Sequence, residues 1–195
     1  AASLKELGRL EEAAASYRRA IELLPASEFY GNLGAVLDEL DHLEEAESVL
    51  REAIKLAPED PQAHNNLGVT QKKLGRLDAA KACFKRAIEL QSNYTEACSN
   101  FGTVLQAQGR LHEAEATYRQ AIALSPSFAQ AHNNLGVTLK NLGKPQESES
   151  FLLNAIELDP GYAEPHNNLG NLYNDLGKHE AAIYSYIRAL ALDPS

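Results

Sequence analysis

The chain has 195 residues, with 18 Lys and Arg against 27 Asp and Glu and a formal net charge of −9. That balance works against a nucleic-acid backbone or an anionic membrane as the main partner and favours basic ligands instead. No run approaches the roughly 18 apolar residues that span a bilayer, and no secretory signal is written at Ala1, so the cytoplasm is the default compartment.

An internal repeat organises everything that follows. AHNNLGVT at 63–70 returns at 131–138, and PHNNLG at 165–170 begins 34 residues after that second copy, which sets the period at 34. In chain order the period gives a partial unit at 1–26 and further units at 27–60, 61–94, 95–128, 129–162 and 163–195. Each unit divides into two predicted helices. In the third, PQAHNNLGVTQKKL carries Ala63, Leu67, Gly68 and Leu74 on one helical face, and LDAAKACFKRAIEL carries Leu77, Ala80, Phe84 and Ala87 on another. Between them Gly75 marks a turn, in a column with Gly8, Asp41, Gly109, Gly143 and Gly177. Proline closes most units, at Pro25, Pro58, Pro126, Pro160 and Pro194, with Ser92 in its place in the third.

Further columns specify packing. Gly34, Gly68, Gly102, Gly136 and Gly170 recur, as do Ala46, Ala80, Ala114, Ser148 and Ala182, and then Ala53, Ala87, Ala121, Ala155 and Ala189. Small residues fit where helices must approach closely, and Tyr17, Leu50, Phe84, Tyr118, Leu152 and Tyr186 supply the large side chains between them. Two short helices cannot bury their apolar faces alone, so stacked neighbours must complete the core. The predicted fold is all-α, one solenoid of antiparallel helix pairs over residues 1–195.

A 34-residue helix-turn-helix unit with Leu-Gly, Gly, Ala, aromatic, Ala and Pro at these spacings resembles the tetratricopeptide repeat. The resemblance implies a right-handed superhelix whose concave groove, lined by the first helix of each pair, binds peptides or other proteins. Where that family often has Trp, this chain has Tyr30, His64, Cys98, His132 and His166.

One column on the groove side is invariant: Asn32, Asn66, Asn100, Asn134 and Asn168. A carboxamide both donates and accepts, so a ladder of them can pair with the N–H and C=O groups of an extended chain whatever its sequence. The ladder is similar to the repeat array of O-linked N-acetylglucosamine transferases, which holds substrate polypeptide; bridging between neighbouring helices is the structural alternative. Beside it Gly31, Asn65, Ser99, Asn133 and Asn167 are expected to line a small, neutral groove, with acidic Asp38 and Glu39 at one end and basic Lys72, Lys73 and Lys140 in the middle. The neutral column lacks the basic residues of a carboxylate clamp, so binding of chaperone tails is not expected.

Catalysis, cofactors and metals are not expected. His64, His132 and His166 lie on separate units and cannot share an ion whose ligands must approach to ~2.1 Å. His112-Glu113 and His179-Glu180 lack the second histidine of a zinc-protease helix, at Ala116 and Ile183. Gly136 to Gly143-Lys144 has six intervening residues where a phosphate loop has four. Cys83 and Cys98 are read as small buried apolar residues. The expected function is a non-catalytic scaffold that holds an extended segment of a partner. The alternatives are the substrate-docking region of a larger enzyme such as a glycosyltransferase, and self-assembly through uncapped solenoid ends. The absence of Met suggests a fragment; helix is expected from Ala1 and no polar capping helix after Ser195, so end-to-end association, or a missing native neighbour, is expected.

Overall fold

The computed structural model describes residues 4–194, with side chains from Gly8 onward. Eleven α-helices occur among them: α1 Leu4–Leu23, α2 Ser27–Glu39, α3 Leu43–Leu56, α4 Pro61–Lys73, α5 Leu77–Leu90, α6 Thr95–Ala107, α7 Leu111–Leu124, α8 Ala129–Asn141, α9 Pro145–Leu158, α10 Ala163–Asp175 and α11 His179–Leu192. No strand is present among the described residues. Helices pack most extensively within the pairs α2/α3, α4/α5, α8/α9 and α10/α11, and the second helix of one pair then packs on the first helix of the next, as α3 does on α4 and α9 on α10. The contacts gather the chain into two compact units that divide inside α6, between Asn100 and Phe101. The expectations about Ala1 and Ser195 fall outside the described residues.

The short turns within pairs follow from one backbone geometry. At the end of α4, Gly75 has φ +72°, its N–H donates to the Lys72 carbonyl at 3.0 Å, and the Arg76 N–H donates to the Gln71 carbonyl at 2.8 Å. This pair of bonds satisfies carbonyls that the helix leaves open, and it requires a left-handed residue, which glycine adopts without a Cβ penalty. Asp41, φ 60°, takes the same place after α2. Gly8 is different. It lies inside α1, which runs unbroken from Leu4, so the turn expected at Gly8 is corrected: Gly8 lacks the left-handed φ that the turn requires and that Gly75, Gly109, Gly143 and Gly177 adopt.

Within each pair the first helix meets the second at a glycine. A Cβ built at Gly68 would lie 2.7 Å from Phe84 Cε1, one at Gly102 would lie 2.6 Å from Tyr118 Cε1, and one at Gly170 would lie 2.6 Å from Tyr186 Cε1. Leu50 and Leu152 occupy the same positions against Gly34 and Gly136. The glycine column and the large-residue column are therefore the two halves of one contact, sixteen residues apart in the chain. Ala46, Ala80, Ala114 and Ala182 are buried nearby, and the exception in that column, Ser148, donates its hydroxyl to the Gly136 carbonyl at 2.7 Å.

Ion clusters cover the outer seams. Glu47 on α3 accepts from Arg51 at 2.8 Å, from Gln71 at 3.3 Å and from Arg76. Burial opposes its ionisation, but the bonds from Arg51, Arg76 and Gln71 outweigh this and hold its carboxyl below the usual range. Glu115 on α7 does the same with Arg119 and Lys144.

The glycine contact gives a prediction of opposite signs. Gly68→Ala should lower the midpoint of urea unfolding, because overpacking against Phe84 costs ~1–3 kcal/mol and exceeds the roughly 1 kcal/mol that alanine gains in helix propensity. In a Phe84→Ala background the same change should raise the midpoint, since only the propensity gain remains.

Candidate functional site

Helical geometry decides which residues reach the open face of the first helices. Successive residues are about 100° apart around the axis, so in α4 Asn66 lies nearly opposite Gly68, which is locked against Phe84. Asn66 is half-buried, as are Asn32, Asn100, Asn134 and Asn168. Asn65, by contrast, lies only about 60° from the glycine. It is 1 % exposed, and Asn133 is fully buried at 0 %. These two, expected beside the ladder on an open groove, are placed in the interior, while Asn167 is exposed.

The buried asparagines bind the ladder. Asn100 Nδ2 donates to Asn65 Oδ1 at 3.1 Å, and Asn168 Nδ2 donates to Asn133 Oδ1 at 2.9 Å. Both bonds join residues 35 apart, a step from one first helix to the next. Asn133 Nδ2 also reaches Asn134 Oδ1 at 3.3 Å and Tyr162 Oη at 3.5 Å. The side chain of Asn66 makes no hydrogen bond among the described residues, nor does that of Asn32. The residue that would pair with Asn66, 35 positions earlier, is Gly31. In the same column the Ser99 hydroxyl is buried without a partner.

The lysines expected along the groove are engaged. Lys73 Nζ donates to the Asp38 carboxylate and, at 3.0 Å, to the Asp38 carbonyl, while Thr70 Oγ1 donates to Asp38 Oδ1 at 2.9 Å. Lys140 Nζ pairs with Asp175 at 3.1 Å. Burial, then the neighbouring charge of Lys73, lowers the pKa of Lys72 from its ordinary value. Two recesses open between α2 and α4 and meet at Asn66. One, about 160 Å³, has Gly34, Ala35 and Val69 along its walls and the carboxylates of Asp38, Glu39 and Glu96 around it. The other, about 100 Å³, is lined by Gly31, Asn32, Ala63 and Asn66, with Glu28 and Asp60 nearby.

His64 and His132 have a structural employment. Each donates from Nε2 to the carbonyl of the proline six residues before it, Pro58 at 2.9 Å and Pro126 at 2.8 Å, and so ties the first turn of a helix to the loop that precedes it. No cluster of three or more His, Cys, Asp or Glu suited to a metal ion occurs among the described residues. Cys83 donates weakly to Gln71 Oε1 at 3.3 Å, and burial pushes its thiol up to about 11, so it carries no thiolate at neutral pH. No described helix is long and apolar enough to cross a membrane.

Models of the TPR repeat match residues 34–75 and 102–143, and models described as tetratricopeptide repeat match 61–94 and 163–195, and 1–26 and 129–162. The chain belongs to the tetratricopeptide repeat family. Its fold is the all-α solenoid of antiparallel helix pairs found in solved tetratricopeptide structures. TTC0263, a TPR protein of Thermus thermophilus, is 25 % identical with a TM-score of 0.78 over 87 % of this chain and 93 % of that one. YrrB, described as a TPR protein with an unusual peptide-binding site, is 24 % identical with a TM-score of 0.66 over 93 % and 94 %. PilF of Pseudomonas aeruginosa is 21 % identical with a TM-score of 0.77 over 86 % and 76 %. No curated protein sequence matches the chain. Membership supports a protein-interaction scaffold: tetratricopeptide proteins bind protein or peptide partners and are generally non-catalytic.

The two kinds of ladder asparagine should separate in a stability measurement. Asn100→Ala removes the donor to buried Asn65 and should cost ~1–3 kcal/mol in urea unfolding. Asn66→Ala should change stability by no more than about 0.5 kcal/mol, as for a surface position.

Proposed function

We propose that the chain holds an extended segment of a partner protein along the open face of its first helices, with Asn32 and Asn66 reading the ligand backbone. The observation that carries this reading is the free carboxamide of Asn66, half-buried at the meeting point of two recesses between α2 and α4. A carboxamide in that position can donate to a peptide carbonyl and accept from a peptide N–H at once. Asn134 is half-buried at the equivalent position of α8 in the second unit, whereas Asn100 and Asn168, with Asn65 and Asn133 beneath them, hold neighbouring helices in register and shape the surface. The carboxylates of Glu28, Glu39 and Glu96, exposed along this face, suit a ligand segment that carries basic residues. Lys72, Lys73 and Lys140 set the local charge through their neighbours, and Asn167 extends the polar surface on α10. The reading requires no catalytic group, cofactor or metal.

The test is a quantitative pull-down from native lysate with the intact chain and with an Asn32→Ala/Asn66→Ala variant of unchanged circular dichroism. Partners should be depleted at least ~10-fold by the variant, since two ligand hydrogen bonds are removed. An unchanged partner list from the folded variant would show that the ladder is structural.

A second reading is end-to-end association between copies. On α11, Ile183, Tyr184, Ile187 and Leu190 are 59 %, 66 %, 59 % and 63 % exposed and share one face. One repeat period earlier, Leu190 corresponds to Ile156, which packs against the Leu152, Leu169 and Leu172 cluster. An exposed apolar helix face is the kind of surface that a partner can cover. Light scattering should show mass rising with concentration for the intact chain and not for Ile183→Asp/Ile187→Asp; scattering that stays monomeric throughout for the intact chain removes this reading.

A further inference from the structure

The smaller recess exists because one side chain is missing from a repeated position. In the column Gly31, Asn65, Ser99, Asn133, the two asparagines each reach across to the ladder asparagine 35 residues later and accept its amide proton, at 3.1 Å on Asn65 and 2.9 Å on Asn133. At Gly31 there is no side chain to do so. A Cβ built there meets no atom within 4 Å, and the space is a recess of about 100 Å³ with Asn66 on its wall.

From this gap we infer a binding subsite for an amide of the ligand, either a backbone peptide group or the carboxamide of a ligand asparagine or glutamine. The ligand carbonyl takes the place against Asn66 Nδ2 that Asn65 Oδ1 takes against Asn100 and Asn133 Oδ1 takes against Asn168. The protein thus displays the bound arrangement twice with its own residues, and at Gly31 it leaves open space in the acceptor's place. Electrostatics agrees with an amide rather than a carboxylate: Glu28 and Asp60 stand beside the recess, and Asp60 Oδ1 already accepts from the Gln62 N–H at 2.9 Å. A second negative group would meet like charge there, whereas a neutral carbonyl acceptor would not. The inference rests on the groove reading above and adds to it the chemistry of one contact and the residue, Gly31, that keeps the contact open.

Gly31→Asn is the direct test, because it supplies the missing carboxamide in space that is free. The probe is a blocked peptide, acetyl-(Ala-Asn)5-amide, titrated into the 15N-labelled intact chain while the side-chain amide signals of Asn66 and Asn100 are followed by NMR. The peptide should shift the Asn66 signals and leave those of Asn100 in place. In Gly31→Asn the Asn66 amide protons should exchange with water at least ~10-fold more slowly, as expected of a group that has gained a hydrogen bond, and the peptide-induced shift should vanish. The subsite is overturned if the peptide shifts Asn66 equally in both chains, or if Asn66 exchange is unaltered by Gly31→Asn. If the peptide shifts no groove residue and the Asn32→Ala/Asn66→Ala pull-down also loses nothing, the groove reading fails with it; shifts confined to Asn32 and the α2 face, away from Asn66, overturn the subsite alone.

Discussion

The seat of a large side chain on a bare glycine backbone is the contact on which the other features depend. Where Phe84 lies against Gly68, the two helices of a pair approach at a distance no other residue at 68 permits. Two consequences follow. The rotation of the first helix about its own axis is fixed, because only one face carries the glycine. Every other residue of that helix then has an assigned direction, about 100° for each step along the chain. Asn66 faces outward and Asn65 faces the neighbouring first helix for this geometric reason, although the two are adjacent in sequence and identical in chemistry.

Much of the fold is legible because the repeat writes each contact several times. A period of 34, the turn glycines and the buried alanines can be read by aligning the chain on itself, and the turn column even admits Asp41 correctly. Gly8 falls into that column by the same alignment, yet it lies within α1. Periodicity reports what a position has in common with its equivalents in type, and Gly8 does not share the left-handed backbone of the turn glycines. The pairing of glycine with the large residue sixteen positions on is present in two columns that the sequence alone gives no reason to connect.

The site is less legible, and Asn65 shows why. In the sequence Asn65 and Asn66 are expected side by side on one groove, with His64 before them in the column where the family often has Trp. In the structure they have three employments: His64 ties a loop to its helix, Asn65 is an interior acceptor, and Asn66 faces the open side. Neighbours in a helix diverge by about 100°, so a run of consecutive polar residues cannot share a surface. A recurrent separation of 35 between Asn65 and Asn100, and between Asn133 and Asn168, is the available signal. An alignment on the 34-residue period compares equivalent positions, and contacts between non-equivalent ones do not show in it.

In a repeat array, recurring columns build the scaffold and departures from them carry individuality. The bonds that stiffen one first helix against the next need an asparagine at the position that Gly31 occupies, and the cost of its absence is a hydrogen bond not made, about 1 kcal/mol by the usual net value. Such a loss is small against the burial in each pair, so the array tolerates it without unfolding. What remains is a polar group, Asn66, held rigidly by the glycine lock on the other side of its helix and left with an unmet hydrogen-bonding capacity toward the open face. Rigidity matters here, since a donor that is already oriented loses less freedom when a ligand arrives than one that must be ordered first. Thus the contact that packs the interior also fixes the direction of the half-buried carboxamide, which on the proposed reading lowers the cost of binding a ligand there.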